Sequence, residues 1–322
     1  QPSEPARSAA FVPCTAKREI SSELLLNSTL NLSRTDFVSP PMSASTGSGA
    51  FDNFNGGIPV SAAVNGHVPF TPRSVDLNGL PFSNPVNGSS VYYRNGNDIQ
   101  NPRWTVAHAG TQQITNRAFG NMAMQYDISE NINLLYRFGY DIYNERNVNF
   151  QDKGGTSGNT QVQSGIYQTW DNNNTIWDNS IILNGNYDLS EKIDMNFNVG
   201  GTSRSTNFDR QGVSSSGQNV FGVRRHFNFD IQDEIQFTTF QNIVGVYGQA
   251  DFGYDRMFYL TVNARNDWVS NQAKSNRSLL YKGASFSFIP TQVWPGLRSE
   301  GGINYLKFRG GYGESAGFAT GF

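Results

Sequence analysis

Between Phe119 and Tyr143 the side chains change sides at every residue. In the second arm Ile132, Leu134, Tyr136, Phe138, Tyr140 and Ile142 alternate with Asn133, Leu135, Arg137, Gly139, Asp141 and Tyr143. A period of two belongs to a strand, so one face is apolar and aromatic and the other holds an arginine and an aspartate. The first arm does the same, with Gly120, Met122, Met124 and Tyr126 set against Phe119, Asn121, Ala123 and Gln125. Two architectures accept such a hairpin. In a soluble sandwich the apolar face is the core and the polar face meets water. In an outer-membrane barrel the apolar face meets lipid and the polar face lines a lumen.

The later hairpins decide between them. Tyr126-Asp127-Ile128-Ser129-Glu130-Asn131-Ile132 returns as Tyr187-Asp188-Leu189-Ser190-Glu191-Lys192-Ile193, so two hairpins read as copies of one unit. The second copy alternates Trp177, Ile181, Leu183, Gly185 and Tyr187 with Asp178, Ser180, Asn184 and Asn186. A third hairpin spans 242–268, a first strand 22–34, and two further strands 281–289 and 304–313. That makes about nine strands. Connections after Tyr126, Tyr187 and Phe252 are short, about four or five residues, while those between hairpins run from about ten to about eighty. The long ones are 35–113, 145–175 and 205–239, dense in Gly, Asn and Ser and read as irregular. Short turns at one end and long loops at the other are the pattern of an outer-membrane barrel. Strands of about ten residues tilted by about 45° also match its apolar band of about 25 Å. The tyrosines beside the short turns suit an aromatic girdle. The expected class is therefore all-β, a segment of an antiparallel transmembrane β-barrel with periplasmic turns and extracellular loops.

Composition removes other classes. No apolar run reaches the roughly 18 residues of a spanning helix. A formal net charge of −2 gives no case for nucleic acid. The single cysteine, Cys14, cannot build a disulfide framework. His67, His108 and His226 lie far apart in loop-like sequence, so no metal, cofactor or catalytic residue is assigned and no enzyme is expected. Gly200-Gly201 and Gly310-Gly311 precede no helix and read as easing strand bending rather than holding phosphate. Position 1 is Gln and no leader precedes it, so the numbering is expected to begin within a processed or longer chain. Residues 1–21 show no period and stay unassigned.

Four stretches carry a resemblance: NPRW (101–104), the YDISENI turn, YGQADFGYDRMFYLTVNARNDW (247–268) and YLKFRGGYGES (305–315). Together they resemble the SusC/RagA-type TonB-dependent outer-membrane transporters of Bacteroidetes over roughly residues 90–315. The resemblance implies a barrel of about 22 strands with a plugged lumen. Residues 22–322 are thus expected to be part of such a barrel, with the plug and TonB box lying outside them. It also implies energised import of glycan fragments or peptides across the outer membrane, with no bond chemistry. The partners it implies are the lipid bilayer, a SusD-like lipoprotein lid, TonB through the missing N-terminal region, and a dimer of transporter–lipoprotein pairs.

Within that frame Tyr92, Tyr93, Trp104, Trp170 and Phe221 are the candidates for substrate or partner contact, as loop aromatics that stack equally well on a sugar ring or a lid protein. Arg137, Asp141, Arg204, Arg265, Lys307 and Arg309 are expected to face the lumen and make ion pairs with the wall or the plug. Two other readings stay open: a barrel without transport, as an accessory component of a secretion or adhesion complex, and a soluble glycan-binding sandwich.

Overall fold

The computed structural model describes residues 10–21, 23–39, 74–91, 101–155, 163–298, 303–315 and 317. They form one antiparallel sheet of ten strands in chain order. The strands are β1 (Ala10–Ser21), β2 (Leu24–Ser39), β3 (Ala109–Ser129), β4 (Ile132–Gln151), β5 (Ile166–Ser190), β6 (Ile193–Gln218), β7 (Phe229–Tyr254), β8 (Phe258–Val269), β9 (Ser278–Phe288) and β10 (Phe308–Gly313). Every strand pairs with its chain neighbour, the up-and-down connection of a partial barrel.

The register sorts side chains by chemistry. One lateral row runs through Leu24, Tyr126, Leu134, Leu183, Val199, Gly248 and Ala264, each facing the next across a strand boundary. On this outward face Leu32, Ile181, Val199, Val246 and Phe286 are 46, 51, 50, 50 and 50% exposed. Apolar side chains left half open in register, over strand after strand, form an apolar belt of the kind a barrel presents to lipid. The opposite face carries Arg117, Asp141, Asp178, Arg204, Arg265 and Asp267. Tyr126, Tyr254 and Phe258 close the belt beside the short turns.

The repeated turn is repeated in detail. The β3–β4 register slips between Asp127 and Ser129, and the β5–β6 register slips between Asp188 and Ser190. A bulge at the same place in both copies bends the strand into its turn and raises its twist. The third turn is made differently: Asp255 and Arg256 adopt φ of 48° and 55°, the left-handed region short polar residues tolerate better than branched ones.

Several expectations are corrected. Among the described residues the sheet has ten strands where about nine were expected, because Ala10–Ser21, expected to be irregular, is β1 paired along β2. The stretches read as loops at 145–175 and 205–239 are mostly strand, since β4 runs to Gln151, β5 starts at Ile166, β6 runs to Gln218 and β7 starts at Phe229. Within 35–113, β2 extends to Ser39, a helix α1 spans Pro102–His108 and β3 begins at Ala109. The last strand is shorter than expected, Phe308–Gly313. The physical reason is common to the two long stretches. Above the belt β5 and β6 are largely polar on both faces, so the two-residue beat fades although the ladder continues. β6 and β7 have 26 residues each. They are about 85 Å long and rise roughly 60 Å at a 45° tilt, more than twice the apolar band.

Candidate functional site

Two groups of residues stand out: the inner wall at the height of the belt, and a knot of loops at the far end of the long strands. On the wall, Arg117 of β3 donates from Nε and Nη2 to the two oxygens of Asp141 on β4, at 2.7 and 2.5 Å. One strand on, Arg204 of β6 faces Asp178 of β5, with 3.9 Å between charged atoms. On β8, Arg265 Nε donates to both oxygens of Asp267, at 2.9 and 3.0 Å, and its Nη2 donates to Thr202 Oγ1 at 2.9 Å. The Tyr281 hydroxyl of β9 closes this group on Asp267. Asp141, Asp178 and Asp267 are each matched by an arginine, so this part of the wall is polar and largely neutralised. Close approach helps: a Cβ on Gly200 would meet the Tyr247 ring and the Ile181 carbonyl at 2.8 Å. Tyr247 lies in the space that leaves, with the Arg265 guanidinium 5.6 Å from its ring centroid.

Higher on the same face, neutral groups dominate. Gln113 donates to Asn147 at 3.1 Å, and Asn147 and Asn172 both donate to Glu145 Oε1, at 2.8 and 2.7 Å. Arg210 donates to Asn172 at 2.8 Å, which links four strands in one network. Trp170 stands in the same lateral row as Asn147 and Gly212. It therefore faces inward, beside this network.

The knot is built on Asp152, which is completely buried. His108 Nδ1 donates to its Oδ2 at 3.3 Å, Gln218 Nε2 to Oδ1 at 3.1 Å, and Arg224 to both oxygens at 3.2 and 2.8 Å. Burial pushes the carboxyl pKa up, but the hydrogen bonds from His108, Arg224 and Gln218 outweigh it and hold the group at about 2. The Arg224 guanidinium also lies 3.8 Å from the Phe150 ring centroid. The NPRW stretch explains how α1 reaches this knot. Asn101 caps the helix by accepting from the Arg103 N–H at 3.0 Å, and Pro102 occupies the first turn, where no N–H is needed. Arg103 Nη1 donates to the carbonyls of Leu77 and Asn78 at 2.8 and 2.9 Å. Trp104 is wholly buried and donates from Nε1 to the Gly88 carbonyl at 2.7 Å. Nearby, His226 sits between two hydroxyls, Thr169 Oγ1 on Nε2 and Ser215 Oγ on Nδ1, both at 2.8 Å. Burial lowers its pKa.

These positions correct part of the site expected from sequence. Trp104 has no surface left for a substrate or partner, because α1 and the loop at 74–91 use all of it. Phe221 is half-buried in the knot, its ring 5.0 Å from that of His108 in an edge contact. Tyr92 and Tyr93 lie outside the described residues. Asp141, Arg204 and Arg265 make wall ion pairs. Lys307 instead approaches the Tyr259 ring, at 5.8 Å, and lines a groove with Arg309, Thr261 and Ser285. Arg137 pairs across to Ser180 on the inner face. His108 is not an ordinary loop histidine, since it ends α1 and pairs with Asp152. Missed from sequence were Arg117, which alternates in phase with Asn121 and was legible, and Asp152, whose partners lie too far apart along the chain to be seen.

No family model and no curated protein matches the sequence. Solved structures do. The structure of the RagAB peptide transporter superposes with a TM-score of 0.71 at 16% identity, over 95% of this chain and 32% of that one. The fold is that of the matching third of the RagAB structure. The RagAB peptide importer in its open-open state gives 0.71 and 16%, over 93% of this chain and 31% of that one. The chain thus spans about a third of the length of the transporters it matches. Expectations of barrel architecture are met by this likeness in fold.

Proposed function

We propose that the chain forms part of the barrel wall of a TonB-dependent importer in the bacterial outer membrane. The supporting observation is the sorting of one sheet into a lipid-ready belt and an ion-paired inner wall, on a backbone that superposes on RagAB. A lumen walled this way admits polar cargo past hydrocarbon, and the cargo is a glycan fragment or a peptide. Catalysis plays no part: the wall holds still while a plug, lying outside these residues, is pulled by TonB. A SusD-like lipoprotein covers the outer mouth, as the two-component name RagAB suggests by analogy. Pairs of transporter and lid associate as dimers. In this reading Trp170 and its network are the cargo-facing part of the wall, and the Asp152 knot keeps the mouth in shape.

The test is uptake of labelled oligosaccharides and oligopeptides by cells carrying the complete gene, its deletion, or a version lacking the TonB-contacting segment. Uptake should vanish in both altered strains. Persistence in the third would replace energised import with passive passage or a structural role.

A further inference from the structure

The wall above the belt has a step in it. β7 runs from Phe229 to Tyr254, but β8 pairs with it only as far as Val269 opposite Ile243. Ser270 then closes the ladder: its N–H donates to the Asn242 carbonyl at 2.9 Å, and its Oγ accepts from the Asn242 N–H at 2.8 Å. Beyond that point β7 is paired on the β6 side alone, and its register with β6 is unbroken from Tyr254 to Ile231. The backbone groups of an antiparallel strand point to its two neighbours by turns. Gln232, Glu234, Gln236, Thr238 and Phe240 therefore turn their N–H and C=O groups the same way as Asn242. Among the described residues these groups have no ladder partner. The edge lies inside the sheet, between two strands that are both present.

A bare strand edge is ordinarily blunted by lysine, proline or a bulge. Residues 229–242 contain no Lys, Arg or Pro, and they carry three acids, Asp230, Asp233 and Glu234. Apolar side chains stand open beside the edge as well. On the inner side Ile231 and Phe237 are exposed, and on the outer side Phe240 is 57% exposed. Asp230 and Glu234 share the outer side with Phe240, and both are exposed. The edge begins just past Trp268, which is exposed on β8 opposite Val244, so it lies on the water side of the belt.

We propose that this edge takes up an extended segment of a partner protein by strand addition, and that the segment alternates Lys or Arg with apolar residues. Main-chain hydrogen bonds to the edge supply affinity, and the side chains on either side supply choice. Neighbours across a strand pair lie about 5 Å apart on one face. Apolar side chains of the segment therefore meet Ile231, Ile235 and Phe237 on the inner side, and its cations meet Asp230 and Glu234 on the outer side. The stretch from Gln232 to Phe240 is about 30 Å long, enough for some nine residues of partner. A second copy of this chain does not suit the edge, since two acidic strands side by side repel. Cargo does not suit it either: the added segment becomes a strand of the wall, held along its length, whereas a passenger must let go. The inference rests on the ladder, not on what is imported.

The test uses the full-length protein in mild detergent and a labelled nine-residue peptide alternating Lys with Val, blocked at both ends. Fluorescence anisotropy reads binding, and residue-resolved hydrogen exchange reads the edge. Before the peptide is added, the amides of Gln232, Glu234, Gln236, Thr238 and Phe240 should exchange fast; with it they should be protected. The same peptide with Glu in place of Lys should not bind. Methylating every second peptide amide should abolish binding in one phase and spare it in the other, because only one set faces β7. Glu234→Lys should weaken binding roughly tenfold. Gln236→Pro removes an edge-facing N–H and no bond to β6, so it should weaken binding similarly while the folded barrel keeps its heat stability. Edge amides already protected in the purified protein would overturn the proposal, since its own chain would then fill the edge. So would binding indifferent to the phase of methylation. Peptide that accumulates in the periplasm of intact cells, rather than on their surface, would make the edge a cargo site and overturn the proposal too. Nutrient uptake is scored separately, so a failed import reading leaves this outcome standing.

Discussion

Arg224 clasps Asp152 through both carboxylate oxygens, at 3.2 and 2.8 Å, although the two belong to different loops. The relationship makes one buried carboxylate the tie between α1, the β4–β5 connection and the β6–β7 connection. Asp152→Ala leaves Arg224 without its partner while the barrel ladder stays whole. Arg224 keeps 32% of its side chain in water, so the local cost is on the order of 2–3 kcal/mol rather than the larger figure for a dry pair. Hydrogen exchange should speed up in 74–91 and 219–228 and stay unchanged in β7 and β8.

Acid should release the same knot. Asp152 titrates at about 2 in the fold and near 4 in an unfolded chain. A depressed carboxyl pKa stabilises above its unfolded value, and that stability is lost as pH falls from about 4 to about 2, on the order of 2 kcal/mol in all. His226 acts in the same sense at higher pH. Its folded pKa is lowered, so below its ordinary value near 6.5 protonation favours opening. Emission from the buried Trp104 reports both steps, with Trp104→Phe as the blank. A knot that tightens on acidification would contradict the assignment.

Neighbouring glycines should differ. A Cβ on Gly200 meets the Ile181 carbonyl and the Tyr247 ring at 2.8 Å, whereas on Gly201 nothing comes nearer than 3.8 Å. Gly200→Ala should lower stability by about 1–3 kcal/mol through overpacking. Gly201→Ala should be close to neutral. The heat-dependent shift of the folded barrel on electrophoresis measures both.

Faces should differ as well. Ile181 belongs to the belt and Ser180 to the inner wall. Ile181→Arg should cost about 2–4 kcal/mol on folding into bilayers, and Ser180→Arg far less. Equal costs would mean that the two faces have been assigned the wrong way round.

Legibility in the sequence followed the solvent. Where one face is apolar and the other polar, as along Ile132–Ile142, alternation exposes the strand and its faces. Around Asn172-Asn173-Asn174 and Thr202–Gln218 both faces are polar. There the chain reads as loop although all of these residues but Gly217 are paired in a ladder. The bulged turn was legible because its seven residues recur. The Asp152 knot was not, because His108, Gln218 and Arg224 reach it from 44, 66 and 72 positions away. Trp104 looked like a binding aromatic because sequence does not distinguish an indole that greets a ligand from one that fills a hole.

The strands that outrun the belt have a consequence for resistance to proteolysis. A peptidase must draw several residues of free backbone into its cleft, and chain already committed to ladder hydrogen bonds is hard to draw out. A rampart of β5, β6 and β7 offers peptidases few places to cut. Attack is confined to the crests between strands, and where those crests are cinched by a buried carboxylate even they give little slack.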